Sequence, residues 1–260
     1  LLILLVFGLV VLASATSSIS SDPYFYLKKQ IGSIALGVLA IIIILRYEYV
    51  ELKRYSWYLY GFSVLLLVLV LVFGQEVRGT TGWISFGPLP AVQPAEFTKI
   101  LLILAFADFL NNRKGEMDTL AQMLPCFAYM GLPFILILMQ PDLGTGLVYI
   151  AITLVMMYVA GANPKILLTL LFSGVLIIIL LFLAHVHFGL PLPLEDYQIK
   201  RLIVFVDPYN DGQGGRGPGW NTIQSLVAIG SGGLTGKGLF NGTQVQLNFL
   251  PEHHTDFIYA

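Results

Sequence analysis

An all-α, polytopic transmembrane helix bundle with a long extracytoplasmic loop is the fold class this sequence predicts, on three observations. Hydrophobic residues make up 57% of the 260 and charged residues only 11%, where a soluble domain carries about a quarter charged. Mean hydropathy is +0.80. Apolar runs approaching the ~20 residues of a bilayer span recur along the chain, and they lack the alternation of a barrel strand, which leaves helices as the spanning form. The net charge of −1 supplies no bulk positive field for nucleic acid. Cys126 is the single cysteine, so a disulfide within the chain is excluded and a buried spectator thiol is expected.

Seven spans are expected, at 1–15, 31–45, 55–73, 95–110, 120–139, 143–160 and 166–187. They make residues 1–187 the membrane bundle, and 188–260 an extracytoplasmic loop that ends in the start of a further span. The first run, LLILLVFGLVVLASA, carries Ala13-Ser14-Ala15, which resembles a leader-cleavage site, but it lacks the basic flank of a leader. A shortened first span is the favoured reading. Both ends of the chain look like cuts through a longer protein. Arg46, Lys53, Arg54, Arg113, Lys114 and Lys165 fall in the loops after spans two, four and six, against Lys28, Lys29 and Arg78 after spans one and three. The excess of basic residues places the first set in the cytoplasm, and the loop from residue 188 outside.

The loop after span three carries Arg78 and Trp83. Trp83 is read first as an interfacial anchor, with a substrate cleft lined by Trp83 and Arg78 as the sharper alternative. Span four opens on Gln93-Pro94-Ala95-Glu96-Phe97-Thr98-Lys99. Proline at the first helical position and an acid in the first turn favour a helix start. Glu96 and Lys99 share a face and can pair. They either neutralise each other near the interface, with Lys99 reaching outward, or face a wet cavity in the bundle. In the link between spans five and six, Asp142 is read as a helix cap.

The segment after residue 188 is too long for a connector. EDYQIKRLIVFVDP sets Lys200 and Arg201 against an apolar face, which suits an amphipathic helix lying on bilayer lipid. Residues 211–220 form a glycine-rich stretch read as flexible. The run 230–238, GSGGLTGKG, fails the spacing of a nucleotide-binding loop; its amides and Lys237 either hold a pyrophosphate or form a tight turn. The closing stretch packs Glu252, His253, His254, Thr255 and Asp256 into five consecutive positions at the mouth of an apolar run, where charge is costly unless used. Adjacent side chains on an irregular loop do not make a closed zinc site. Weak coordination of Mg²⁺ by Asp256 together with a substrate phosphate is the metal chemistry this pattern allows.

Taken together, GWISFG, QPAEFTK, QPDLGTG, YQIKRL, AIGSGGLTGKG and NFLPEHHTDFIYA resemble the SEDS family (shape, elongation, division and sporulation proteins), and NGTQVQLNFLPEHHTDF looks most like its elongation members. The chain departs from the family pattern at Ala95, Gly82 and Trp220, where serine, a basic or polar residue, and tyrosine are usual. The resemblance implies about ten spans in the whole protein. It also implies a peptidoglycan glycosyltransferase that polymerises lipid II, works with a class B penicillin-binding protein, and sits in the bacterial inner membrane with its active site outside. The aspartate of the HTDF motif, Asp256, would be the catalytic residue and general base; Glu96, Lys99 and Trp83 match the intramembrane pair and loop tryptophan. Arg78, Arg201 and Lys237 are candidates to meet the pyrophosphate, and Glu252, His254 and Thr255 to support the site. The competing expectations are a lipid II flippase and a non-catalytic scaffold that activates a penicillin-binding protein.

Overall fold

The computed structural model describes residues 1–17, 24–77, 80–85, 91–189 and 196–260. It is a predominantly helical chain. The apolar runs form α1 (Leu2–Thr16), α2 (Phe25–Ile44), α3 (Ser56–Phe73), α4 (Pro94–Asn111), α5 (Leu120–Leu138), α6 (Leu143–Val159) and α7 (Pro164–Phe188). Among the described residues, four stretches are long and apolar enough to cross a membrane, at Phe25–Ile44, Val50–Phe73, Leu120–Leu138 and Pro164–His185; α1 and α6 are shorter apolar helices. The following segment supplies α8 (Asp196–Val206), α9 (Trp220–Gly232) and the short α10 (Thr243–Gln246).

Two compact units emerge, residues 1–46 with 191–260, and residues 47–190. The grouping cuts across the boundary at residue 188 that hydropathy suggested: the first two helices belong with the final segment. Polar side chains at the end of α1 make that association. The Phe240 N–H donates to Ser14 Oγ at 2.8 Å, and the Gln246 amide bonds Ser17 Oγ at 3.0 Å and the Ser14 carbonyl at 3.3 Å.

In the second unit the helix starts follow local chemistry. Thr119 and Gln122 close a capping box on α5, satisfying amides that a helix end otherwise leaves bare. Asn163 caps α7 ahead of Pro164, and Pro94 opens α4. Gly189, at φ 66°, ends α7 in the left-handed conformation that glycine adopts without strain. The interior is built from Leu67, Leu102, Phe106, Met123, Ile137 and Met157, with Cys126 fully buried among them, as expected. Outward faces are apolar instead of polar: Phe172, Leu176, Ile177 and Ile178 of α7 are exposed. Such a surface suits hydrocarbon and would aggregate in water.

The turn after α3, read from the sequence as a loop, is a small antiparallel hairpin of β1 (Gln75–Val77) and β2 (Thr80–Trp83), with Gln75 opposite Trp83. Gly74 makes the entry possible. A Cβ there would lie 2.1 Å from the Thr81 carbonyl oxygen and 2.3 Å from that of Val70.

Candidate functional site

The residues 248–260 close the first unit as a succession of turns. Three contacts hold them. Trp220 Nε1 donates to the Phe249 carbonyl at 3.2 Å. His253, 5% exposed, meets the Leu250 carbonyl through Nδ1 at 2.5 Å; a carbonyl only accepts, so Nδ1 carries the proton. The His254 ring lies against Tyr26 of α2 at 4.3 Å between centroids. Asn248 and Glu252 adopt φ of 57° and 54°, a region that costs a side-chain-bearing residue roughly 1–2 kcal/mol. The Glu252 carbonyl accepts from the N–H groups of Thr255 (3.1 Å) and Phe257 (3.3 Å), and its carboxylate accepts from Thr255 Oγ1 at 3.2 Å.

Asp256 follows this pinned and strained turn. Its side chain is exposed and, among the described residues, makes no hydrogen bond or ion pair. The turn therefore presents a free carboxylate on a scaffold whose flanking residues are locked. Glu252 and Thr255 support the backbone of the turn, and His254 anchors it to α2.

Other elements of the first unit carry the remaining loop candidates. Lys237 is exposed and donates to Thr243 Oγ1 at 2.9 Å. Arg201 is exposed on α8, whose Phe205 is 87% exposed while neighbouring Val204 is buried, the two-faced pattern expected of a helix lying on a bilayer.

The stretch from Asp211, read as flexible from its glycines, is ordered around one carboxylate. Asp211 Oδ1 accepts from the N–H groups of Gln213 and Gly215, both at 2.8 Å, and Oδ2 from Gly217 at 2.8 Å and Gly219 at 3.1 Å. The Gly215 N–H, followed by those of Gln213, Gly217 and Gly219, pulls the carboxyl down to a pKa of about 2, against a smaller upward push from desolvation.

Glu96, Lys99 and Trp83 belong to the second unit. Lys99 Nζ meets Glu96 Oε1 at 2.7 Å, with the lysine side chain 19% exposed and the glutamate 54%. The ammonium is thus drawn back to its own helix and does not reach outward. Trp83 is half-buried on β2. Arg78 lies outside the described residues. Asp142 caps α6 through the Thr145 N–H at 2.9 Å, as read from the sequence, and its other oxygen accepts from Gln93 Nε2 at 2.8 Å. That bond joins the starts of α4 and α6. Nothing in the local sequence pattern announces it, since the partners stand 49 residues apart. Among the described residues, no group of three or more His, Cys, Asp or Glu side chains comes together as a cation site.

The family model described as "Cell cycle protein", FTSW_RODA_SPOVE, matches residues 1–260. The chain belongs to the SEDS family. A probable peptidoglycan glycosyltransferase FtsW of Aliivibrio salmonicida is 36% identical over 99% of this chain and 62% of its own length. The peptidoglycan glycosyltransferase MrdB of Escherichia coli K12 is 34% identical over 100% of this chain and 66% of its own. Among solved SEDS structures, a chain in "Structural coordination of polymerization and crosslinking by a peptidoglycan synthase complex" superposes with a TM-score of 0.66 at 32% identity, over 90% of this chain and 65% of that one. The rod shape determining protein RodA of Thermus thermophilus gives 0.55 at 33% identity, over 68% and 58%. The present chain thus spans about 60% of the length of the first of these SEDS relatives.

Proposed function

We propose that the whole protein is a peptidoglycan glycosyltransferase that polymerises lipid II during cell-wall elongation, with Asp256 as general base. The observation that carries this reading is the Asp256 carboxylate, exposed, without a partner among the described residues and set on a turn held by His253, His254 and Trp220. The names of the relatives supply the substrate class. The acceptor sugar hydroxyl attacks the anomeric carbon of the donor while Asp256 takes its proton. The anomeric carbon–oxygen bond breaks, and undecaprenyl pyrophosphate leaves with the bonding electrons. Proton removal of this kind contributes about 10²–10⁴ in rate.

Negative charge gathers on the leaving pyrophosphate, and cations placed there stabilise it. Arg201, Lys237 and Arg78 are the candidates of this chain. A divalent cation such as Mg²⁺ would add Lewis acidity at the same oxygens, held by the substrate's phosphates with Asp256 as at most one protein ligand. The seven apolar helices cross the bacterial inner membrane, and the loops after α2, α4 and α6 face the cytoplasm. The segment from residue 188 works on the outer side. Glu96, Lys99 and Trp83 line the substrate path, and a class B penicillin-binding protein docks on the assembled enzyme.

The test is polymerisation of lipid II by the full-length protein with its penicillin-binding partner. Asp256→Asn keeps shape and hydrogen bonding but cannot take the proton. It is expected to fold, bind the partner and lose polymerisation by at least about 10²-fold. Wild-type glycan formation by that variant removes Asp256 from the chemistry.

A further inference from the structure

A cavity of about 350 Å³ lies in the second unit, between the closing turns of α4 and α6. That volume falls in the range of small-molecule sites. Ala107 and Leu110 line it from α4, and Val155 and Val159 from α6. Spacings of three and four residues keep each pair on one face of its helix. Ala107, Val155 and Val159 are exposed, so the groove is open to the hydrocarbon that covers the rest of this surface. Its walls are apolar along their length, and its polarity is confined to one end.

Asn111, the last residue of α4, and Lys114, in the turn that follows, supply that end. Both are exposed, and among the described residues neither side chain makes a hydrogen bond or ion pair. The ammonium brings three donors and the amide two. No lining side chain among the described residues is acidic, so nothing in the groove neutralises the lysine. Neighbouring Arg113 is engaged elsewhere, over the Phe109 ring at 5.2 Å. A basic pocket between membrane helices, at the end that carries the basic links, is the arrangement that takes the headgroup of an anionic lipid.

We propose that this groove holds one anionic glycerophospholipid, its phosphate on the Lys114 ammonium and the Asn111 amide, and part of an acyl chain along Ala107, Leu110, Val155 and Val159. The lipid belongs to the leaflet that meets the ends of α4 and α6, the cytoplasmic leaflet in the orientation proposed above. Charge complementarity selects the occupant. A zwitterionic headgroup carries an ammonium for which the lining has no carboxylate, and the apolar side chains of a membrane helix would leave Asn111 and Lys114 without partners. The bound lipid would join the ends of α4 and α6 through contacts that the protein itself does not supply. The proposal is independent of the role given to Asp256.

The experiment titrates the detergent-solubilised full-length protein with phosphatidylglycerol and, separately, phosphatidylcholine, and counts bound lipids by native mass spectrometry. Phosphatidylglycerol is expected to bind one site about 3–10-fold more tightly, the worth of one lysine meeting an anionic headgroup. Lys114→Gln removes that preference and Lys114→Arg keeps it. Ala107→Phe fills the groove and removes the bound lipid. Arg54→Gln, which takes a cation from the link after α2 without lining the groove, leaves the preference unchanged. Equal binding of the two lipids by wild type overturns the proposal, whether the lysine is merely solvated or a protein helix fills the groove. An unchanged preference in Lys114→Gln, or an equal loss in Arg54→Gln, overturns it as well. So does inorganic phosphate displacing the lipid on equal terms, which would mark an anion site without a tail. Should Ala107→Phe fail to fold, a photoreactive phenylalanine in place of Val159 decides the matter: crosslinking to phosphatidylglycerol supports the site and its absence overturns it.

Discussion

Asp211 orders a loop whose composition argues for disorder. Its two oxygens take four backbone N–H groups from alternate residues 213, 215, 217 and 219, and Gly215, at φ 82°, lets the chain curl around them. The carboxyl is held near pKa 2, below the ordinary aspartate value of about 3.9. The folded loop therefore favours the ionised form. Its contribution is complete above about pH 4 and is lost as the pH falls towards 2. Asp211→Asn keeps one acceptor and turns the other into a donor, so one pair of amides, Gln213 with Gly215 or Gly217 with Gly219, loses its partner. Hydrogen exchange at residues 213–219 is expected to be faster in that variant at neutral pH, and faster in wild type below pH 3 than at pH 6. Equal protection across these conditions would show that the carboxylate does not order the loop. The alternation of glycines after an aspartate was legible in the sequence; the reading of 211–220 as flexible weighed only their number. Asp256, the proposed general base, stands out in the sequence because charge at the mouth of an apolar run demands a use.

At the scale of elements, the helices were the most readable part of the chain, because composition fixes them against hydrocarbon and caps such as Thr119–Gln122 and Asp142 have local signatures. The hairpin was not readable. Its strands span three and four residues, too short for alternation to emerge, and the Thr81 N–H leaves the ladder to bond the Gln140 carbonyl at 3.3 Å. Gly74 is the point on which that hairpin turns away from α3. A methyl group there would press on two backbone oxygens, neither of which can swing aside as a side chain would. Gly74→Ala is accordingly expected to lower stability by about 1–3 kcal/mol, read as a fall in the unfolding midpoint of the detergent-solubilised protein, with a shift in fluorescence from Trp83. An unchanged midpoint would mean that the hairpin entry relaxes freely.

For the whole molecule, orientation decides which side of the membrane carries the Asp256 turn. Six basic residues lie in or beside the links after α2, α4 and α6, counting Lys165 in the first turn of α7; on the other side stand Arg78 after α3 and Lys28 and Lys29 near the start of α2, and short links rich in Lys and Arg stay in the cytoplasm. Lys28 and Lys29 run against the majority. The native chain has one thiol, Cys126, fully buried, so Cys126→Ser gives a silent background. On that background Leu234→Cys, in the fully exposed turn of the glycine run, is expected to react with a membrane-impermeant maleimide in intact cells. Lys114→Cys, in the exposed turn that follows α4, is expected to react only after permeabilisation. The reverse pattern would place Asp256 in the cytoplasm, away from any polymer growing outside. Labelling of both sites in intact cells would break the odd number of crossings that separates them. Outward labelling of residue 234 alone puts the Asp256 turn, Lys237 and helix α8 on the outer side of the membrane, where the proposed polymerisation takes place.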